Sequence, residues 1–254
     1  MPKFCANLTL LFTELPFLER FAAAKAAGFD AVEVLFPYDE PPKLIARQLL
    51  AHDLTLALIN CPPPNYTGGQ RGFAAVPELT KRFRRDFART LRYAEQLRPI
   101  HIHIMAGIAQ GDGAQATFIE NLKWAARQAP DQSLTIEPIN QTDMPGYFLS
   151  DFDHASEILK AVAAPNVALQ YDAYHAQMIT ADAAAVWMKH GNLARHIQVG
   201  GVPGRHEPVG GDIDYPAFFE RLDRDGYSGF VSGEYHPAGR TDDGLGWIAG
   251  PACA

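Results

Sequence analysis

Eight short β-rich runs alternate with helical patterns along this chain, and that alternation constrains the fold more than any other feature. The runs fall at 4–10, 31–36, 54–59, 100–105, 134–139, 167–171, 196–199 and 229–234. Helical patterns separate them at 16–27, 41–52, 77–97, 114–129, 151–161, 181–190 and 216–224. Pro16, Pro41, Pro77 and Pro216 suit a first helical turn, where a missing N–H costs nothing, and Gly28, Gly191 and Gly226 stand where a C-terminal cap belongs. Strands alternating with helices imply βαβ units and a parallel sheet. Eight of them in 254 residues predict an α/β protein built as a single (β/α)8 TIM barrel, with 250–254 as a flexible tail. No GxGxxG follows the first run (CANLTLLFTELP), so an open dinucleotide-binding sheet loses its best signature, and the later GLGWIAG follows no strand. The eighth helix is the weakest element, with only 241–248 to supply it.

Composition narrows the class. Lys plus Arg is 22 and Asp plus Glu is 29, and a net charge of −7 argues against nucleic acid as a partner, which needs a clustered basic face. Cys5, Cys61 and Cys253 are too few and too scattered for a disulfide framework or a CxxC metal site. The opening MPKFCANLTLLF lacks a signal-peptide pattern, and no apolar run approaches the ~20 residues that span a bilayer, so a cytoplasmic protein with no membrane partner is expected. The longest stretch without periodicity, 61–76 (CPPPNYTGGQRGFAAV), is expected to be a lid or site wall.

In a barrel of this kind the active site lies at the C-terminal ends of the strands. The polar residues at those ends are Asn7, Glu33, Asn60, His101 with His103, Glu137, Asp172 followed by His175, Gln198, and Glu234. Four successive strands thus end in Glu137, Asp172, Gln198 and Glu234. Three crowded carboxylates repel one another and desolvation adds to the cost, which a divalent cation relieves. Three carboxylates and an amide carbonyl form an all-oxygen set that suits Mg²⁺ or Mn²⁺ better than Zn²⁺.

Other chemistries lack their residues. There is no GxSxG elbow, and every lysine falls before a strand or on a helical pattern, so Schiff-base chemistry has no residue to carry it. What remains is cation-assisted proton transfer: chelation of a carbonyl and its neighbouring hydroxyl acidifies the carbon-bound proton, and a glutamate moves it. Return to the adjacent carbon is isomerisation; return to the same carbon from the other face is epimerisation. After the seventh strand, GGVPGRHEPVGGDIDYPAFF supplies Arg205, a planar fork suited to a carboxylate, and Glu207, placed to orient Arg205 or His206. His175 is expected to donate to a substrate oxygen, and Asn7 to reach substrate from the first strand.

TIEPIN, QYDAYH, HIQVGGVPGRHEPVGGDIDY and GFVSGEYHP, in that order, resemble the hydroxypyruvate isomerase family, one of the xylose-isomerase-like barrels alongside the ketose 3-epimerases. The resemblance runs from FCANLTLLF to GLGWI. It implies isomerisation of a small hydroxy-oxo acid, either hydroxypyruvate to tartronate semialdehyde or 2-oxo-tetronate. On this chain it places the family's catalytic glutamates at Glu137 and Glu234, and its metal ligands at Glu137, Asp172, Gln198 and Glu234. Related epimerases carry histidine where Gln198 stands, which leans the chain toward the isomerases. The resemblance also implies a homo-oligomer. The alternatives are a ketose 3-epimerase using the same glutamates and metal, a metal-dependent abasic-site nuclease, and a sugar-acid-binding protein without turnover.

Overall fold

The computed structural model of the chain describes residues 2–61 and 71–249. Most of the expected lid at 61–76, and the expected tail at 250–254, lie outside these residues. Eight strands close into one parallel barrel in chain order: β1 Lys3–Asn7, β2 Ala31–Val34, β3 Thr55–Asn60, β4 His101–His103, β5 Ser133–Ile136, β6 Val167–Asp172, β7 Ala194–Val199 and β8 Phe230–Gly233. Closure comes from β1 on β8, with Phe4 opposite Val231 and Cys5 opposite Ser232.

Several strands end earlier than their apolar runs. After Asn7 the N–H groups of Leu10 and Leu11 both turn back to its carbonyl, and the N–H of Thr9 caps its side chain, an Asx turn that stops β1 while the sequence stays apolar. The strand pairing of β4 ends at His103, and Met105 and Ala106 instead offer their carbonyls to Ala74 and Ala75.

The helices are α1 Arg20–Ala26, α2 Pro42–Ala51, α3 Thr80–Leu97, α4 Asp112–Gln128, α5 Phe152–Val162, α6 Ala173–Thr180, α7 Ala183–His190 and α8 Tyr215–Arg224. α3 shows why they cover the barrel. Phe83, Phe87, Thr90, Ala94 and Leu97 recur at spacings of three and four and form its buried face, while arginines cover the other. Phe87 is fully buried, so Phe87→Ala would cost about 3–5 kcal/mol.

The eighth strand is followed by a 3₁₀ turn at Thr241–Ile248 in place of an α-helix, and its Trp247 packs on Phe4 and Tyr235. The β6–β7 connection holds two helices where the sequence predicted one. α6 was hidden because its short AYHAQMIT follows directly on a strand. Gly28 and Gly226 take the left-handed φ of a cap (96° and 72°), but Gly191 does not. Its φ is −58°, and a Cβ there would lie 2.7 Å from the Trp187 ring, so close packing accounts for the glycine.

Candidate active site

Alternate residues of a barrel strand face the axis. On β6 the Tyr171 ring lies outside, against Phe152 and Trp187, so Gln170 and Asp172 point inward. The same parity turns Thr135 and Glu137 inward from the β5 run, His196 and Gln198 from β7, and Ser232 and Glu234 from the β8 run. These inward side chains form two polar groups of opposite character.

The lower group bonds largely among its own members, with His196 Nδ1 left without a partner among the described residues. The Glu33 carboxylate accepts from Asn7 Nδ2 (2.8 Å) and Gln198 Nε2 (2.9 Å), and His196 Nε2 stands 2.6 Å away. Gln198 Oε1 accepts from Gln170 Nε2 (2.7 Å), and Gln170 Oε1 accepts from the Thr135 hydroxyl (3.0 Å). All six residues are buried.

The upper group opens into a cleft of about 90 Å³ at the C-terminal ends of the strands. Glu137, Asp143, Gln170, His175, Arg71, Arg205 and Glu234 line it, with an apolar wall of Leu35, Phe36, Met105, Ile139 and Met144. Asp172 lies beside it, fully buried, with Oδ1 capping α6 through the Tyr174 N–H (2.8 Å). Arg205 Nη2 bridges Glu234 Oε1 (2.8 Å) and Asp172 Oδ2 (3.1 Å), and its guanidinium lies over the Tyr174 ring. Among the described residues no hydrogen bond reaches the Glu137 carboxylate; its nearest polar neighbours are His103 Nδ1 at 3.5 Å and His175 Nε2 at 3.9 Å.

This crowding shifts the acids. Burial pushes Glu137 well above the usual carboxylate range, with repulsion from Glu234 and Asp172 adding to it. Burial pushes Glu234 up to about 8 despite Arg205, and it raises Asp172 as well. For Arg205 burial works against the charge, but Glu234, Asp172, Glu137 and Asp143 outweigh it and hold the guanidinium above its ordinary value.

The protonation of His175 follows from its neighbours. Asn140 Oδ1 accepts from the backbone N–H groups of Thr142 and Asp143, which fixes the amide orientation. Asn140 Nδ2 therefore donates to His175 Nδ1 (2.8 Å). Burial holds the imidazole well below its usual value, so the ring is neutral and Nε2 carries the proton. That N–H points toward Asp172 Oδ2 at 3.6 Å.

One ligand atom each from Glu137, Asp172 and His175 lie within 4.8 Å of one another, a spacing that suits a metal ion. With His175 protonated on Nε2, the carboxylates of this grouping are those of Glu137 and Asp172; Glu234 is not part of it, and its Oε1 accepts from Arg205 Nη2. Gln198 is different from expectation: its amide is committed to Gln170 and Glu33, and it does not line the cleft. Asn7 is also outside the cleft, with Nδ2 on Glu33 and Oδ1 on the Thr9 N–H. Glu207 instead accepts from the Ala238 N–H (3.0 Å), tying the loop after β7 to the loop after β8. Arg205 reaches the cleft as expected, but its charge is spent on the site's own carboxylates. The barrel thus brings together Glu137, Asp172, His175, Arg205 and Glu234. Gln170, Asn140, Asp143 and Arg71 belong to the site and were not singled out from sequence. Only Gln170 had a signal, two residues before Asp172 on the same strand face.

A closed (β/α)8 barrel with buried carboxylates converging at its C-terminal mouth defines a class of barrel enzymes. A family model described as the xylose isomerase-like TIM barrel matches residues 21–250, and the chain belongs to that family. It is 44% identical to a 2-oxo-tetronate isomerase of Cupriavidus necator over 98% of both chains, and 34% identical to a hydroxypyruvate isomerase of Escherichia coli over the same shares. A crystal structure described as an AP endonuclease, family 2, from Brucella melitensis superposes with a TM-score of 0.95 at 43% identity, covering 98% of each chain. A D-psicose 3-epimerase of Clostridium cellulolyticum H10 shares the fold at a TM-score of 0.76 and 17% identity, covering 96% of this chain and 89% of that one. The chain is an isomerase. No helix among the described residues is long and apolar enough to cross a membrane.

Proposed function

We propose that the chain isomerises a small hydroxy-oxo acid, interconverting hydroxypyruvate and tartronate semialdehyde or acting on 2-oxo-tetronate, with a divalent cation bound. The observation that carries this reading is the meeting of Glu137 and Glu234 in one small cleft with Asp172 buried beside it, each with its carboxyl pushed toward protonation. The isomerase relatives supply the substrate class. The cleft's size agrees with it: about 90 Å³ is far below the ~300–1,000 Å³ of sites for drug-sized ligands.

Mg²⁺ or Mn²⁺ held by Glu137, Asp172 and Glu234 would polarise the substrate carbonyl and the neighbouring hydroxyl. Glu137 and Glu234 are the proton carriers. One takes the proton from the hydroxyl-bearing carbon, and the electron pair left behind forms the double bond of an enediolate. The hydroxyl proton passes to the former carbonyl oxygen and the carbon-bound proton is returned to the adjacent carbon, so the former carbonyl becomes a hydroxyl, the former hydroxyl a carbonyl, and atoms and charge balance. His175 Nε2–H donates to a substrate oxygen, Asn140 fixes that tautomer, and Arg205 holds Asp172 and Glu234 together.

Proton NMR of hydroxypyruvate and 2-oxo-tetronate, with and without Mg²⁺ or Mn²⁺, tests the reading. Cation-dependent formation of the aldehyde from hydroxypyruvate, or of the 3-oxo acid from 2-oxo-tetronate, supports it. Turnover confined to neutral ketohexoses would replace it with a 3-epimerase, and cleavage of abasic DNA without sugar-acid turnover with a nuclease.

A further inference from the structure

The cleft holds two arginines, and among the described residues only Arg205 donates to a carboxylate. Arg205 donates to Glu234 and Asp172. Arg71 lines the same cleft, is exposed, and donates to no carboxylate among the described residues. Its backbone is fixed. Gly72 has φ +87°, and a Cβ there would lie 2.5 Å from the Met105 Cβ and carbonyl oxygen, so the chain presses directly onto the end of β4. Ala75 N donates to Ala106 O (2.8 Å), and Asn121 Nδ2 holds the Ala74 carbonyl (2.9 Å). These contacts deliver the Arg71 side chain to the cleft, where its charge acts on the Glu234 carboxyl.

An anionic substrate entering the cleft brings its charge against an apolar wall of Leu35, Phe36 and Met105, where a charge without a partner is costly because the local dielectric is lower than in water. A guanidinium that donates to no carboxylate among the described residues is what such a substrate needs. We propose that Arg71 is the specificity-determining residue that receives the substrate's carboxylate, while Arg205 serves the site's own acids. This rests on the hydroxy-oxo-acid reading and deepens it. The planar fork of Arg71 matches a carboxylate in two-point contact and offers little to a neutral ketose. Arg71 thus selects acids over sugars.

Calorimetric titration of the Mg²⁺-loaded protein with D-glycerate, which lacks a carbonyl and cannot turn over, and with glycerol, its neutral counterpart, tests this. Wild type is expected to prefer D-glycerate by at least about ten-fold, the size of one charge-assisted hydrogen bond. Arg71→Met is expected to abolish most of that preference, and Arg71→Lys to keep part of it. An acid preference that survives in Arg71→Met, or that is missing in wild type, overturns the proposal. Hydroxypyruvate turnover by the same wild-type sample tests the isomerase reading separately. Acid selectivity through Arg71 without turnover sinks that reading and keeps this one; turnover with an unchanged KM in Arg71→Met does the reverse.

Discussion

Glu33 and Glu137 are both glutamates, both buried and both turned toward the barrel axis, yet their surroundings differ in kind. Glu33 accepts two amide hydrogen bonds and has His196 at 2.6 Å. Glu137 has no hydrogen bond among the described residues and faces two further carboxylates. A buried carboxylate held by hydrogen bonds from its neighbours helps to rigidify a core, even though His196 Nδ1 in the same layer has no partner among the described residues, whereas a carboxyl left without donors is costly. The lower layer ties its carboxylate down, and the upper layer leaves Glu137 without a donor beside the cleft. Gln170 joins them, bonded to Gln198 and Thr135 below while lining the cleft above.

Substitutions should separate the two layers. The largest effect is expected on turnover: Glu137→Gln and Glu234→Gln should each lower kcat by about 10²–10⁴-fold, the range for loss of a general acid or base, in steady-state assays on hydroxypyruvate. Either variant retaining wild-type kcat would move proton transfer elsewhere. Next comes stability. Glu33→Ala leaves Asn7, Gln198 and His196 facing a missing acceptor and should cost about 3–5 kcal/mol in urea unfolding. Glu137→Gln should leave cation-free protein as stable as wild type or more so, because it removes repulsion.

Effects on pH and cation are smaller. The Glu234 carboxyl lies near 8 in the folded chain and near 4.5 when free. A raised acid favours folding when protonated, so its contribution is fully present below about 4.5 and is lost as pH rises through about 8. Cation-free protein should therefore lose melting temperature across this window. Saturating Mg²⁺ should restore about 5–10 °C, more at the alkaline end, where fewer protons compete for the ligands. Differential scanning calorimetry with and without chelator measures both. The smallest effect is expected for Glu207→Gln, which keeps an acceptor for the Ala238 N–H and should change unfolding free energy by less than about 1 kcal/mol.

The barrel was legible because eight strand–helix alternations are a one-dimensional property of the chain. So were Glu137, Asp172 and Glu234, since a strand's period of two and its C-terminal end together place a side chain at the mouth. Strand register and side-chain partnership were not legible. Gln198 sits at a strand end like the others, but Gln170 and Glu33 take its amide, and only the packed barrel shows those neighbours. Asn7 likewise has its amide on Glu33, a partner 26 positions away that only the packed barrel shows. Arg205 reads as a free fork until Asp172 and Glu234 are seen beside it. Arg71 sits in a stretch without periodicity, and its placement depends on Gly72 meeting Met105, a contact between residues 33 positions apart.

The central claim is that Glu137 and Glu234 carry a proton between neighbouring carbons of one bound acid. NMR of hydroxypyruvate in D₂O with Mg²⁺, comparing wild type with the Glu137→Gln/Glu234→Gln double variant, tests it most directly. The account predicts deuterium at the hydroxyl-bearing carbon with wild type and none above background with the folded double variant. Continued exchange by the double variant would contradict it.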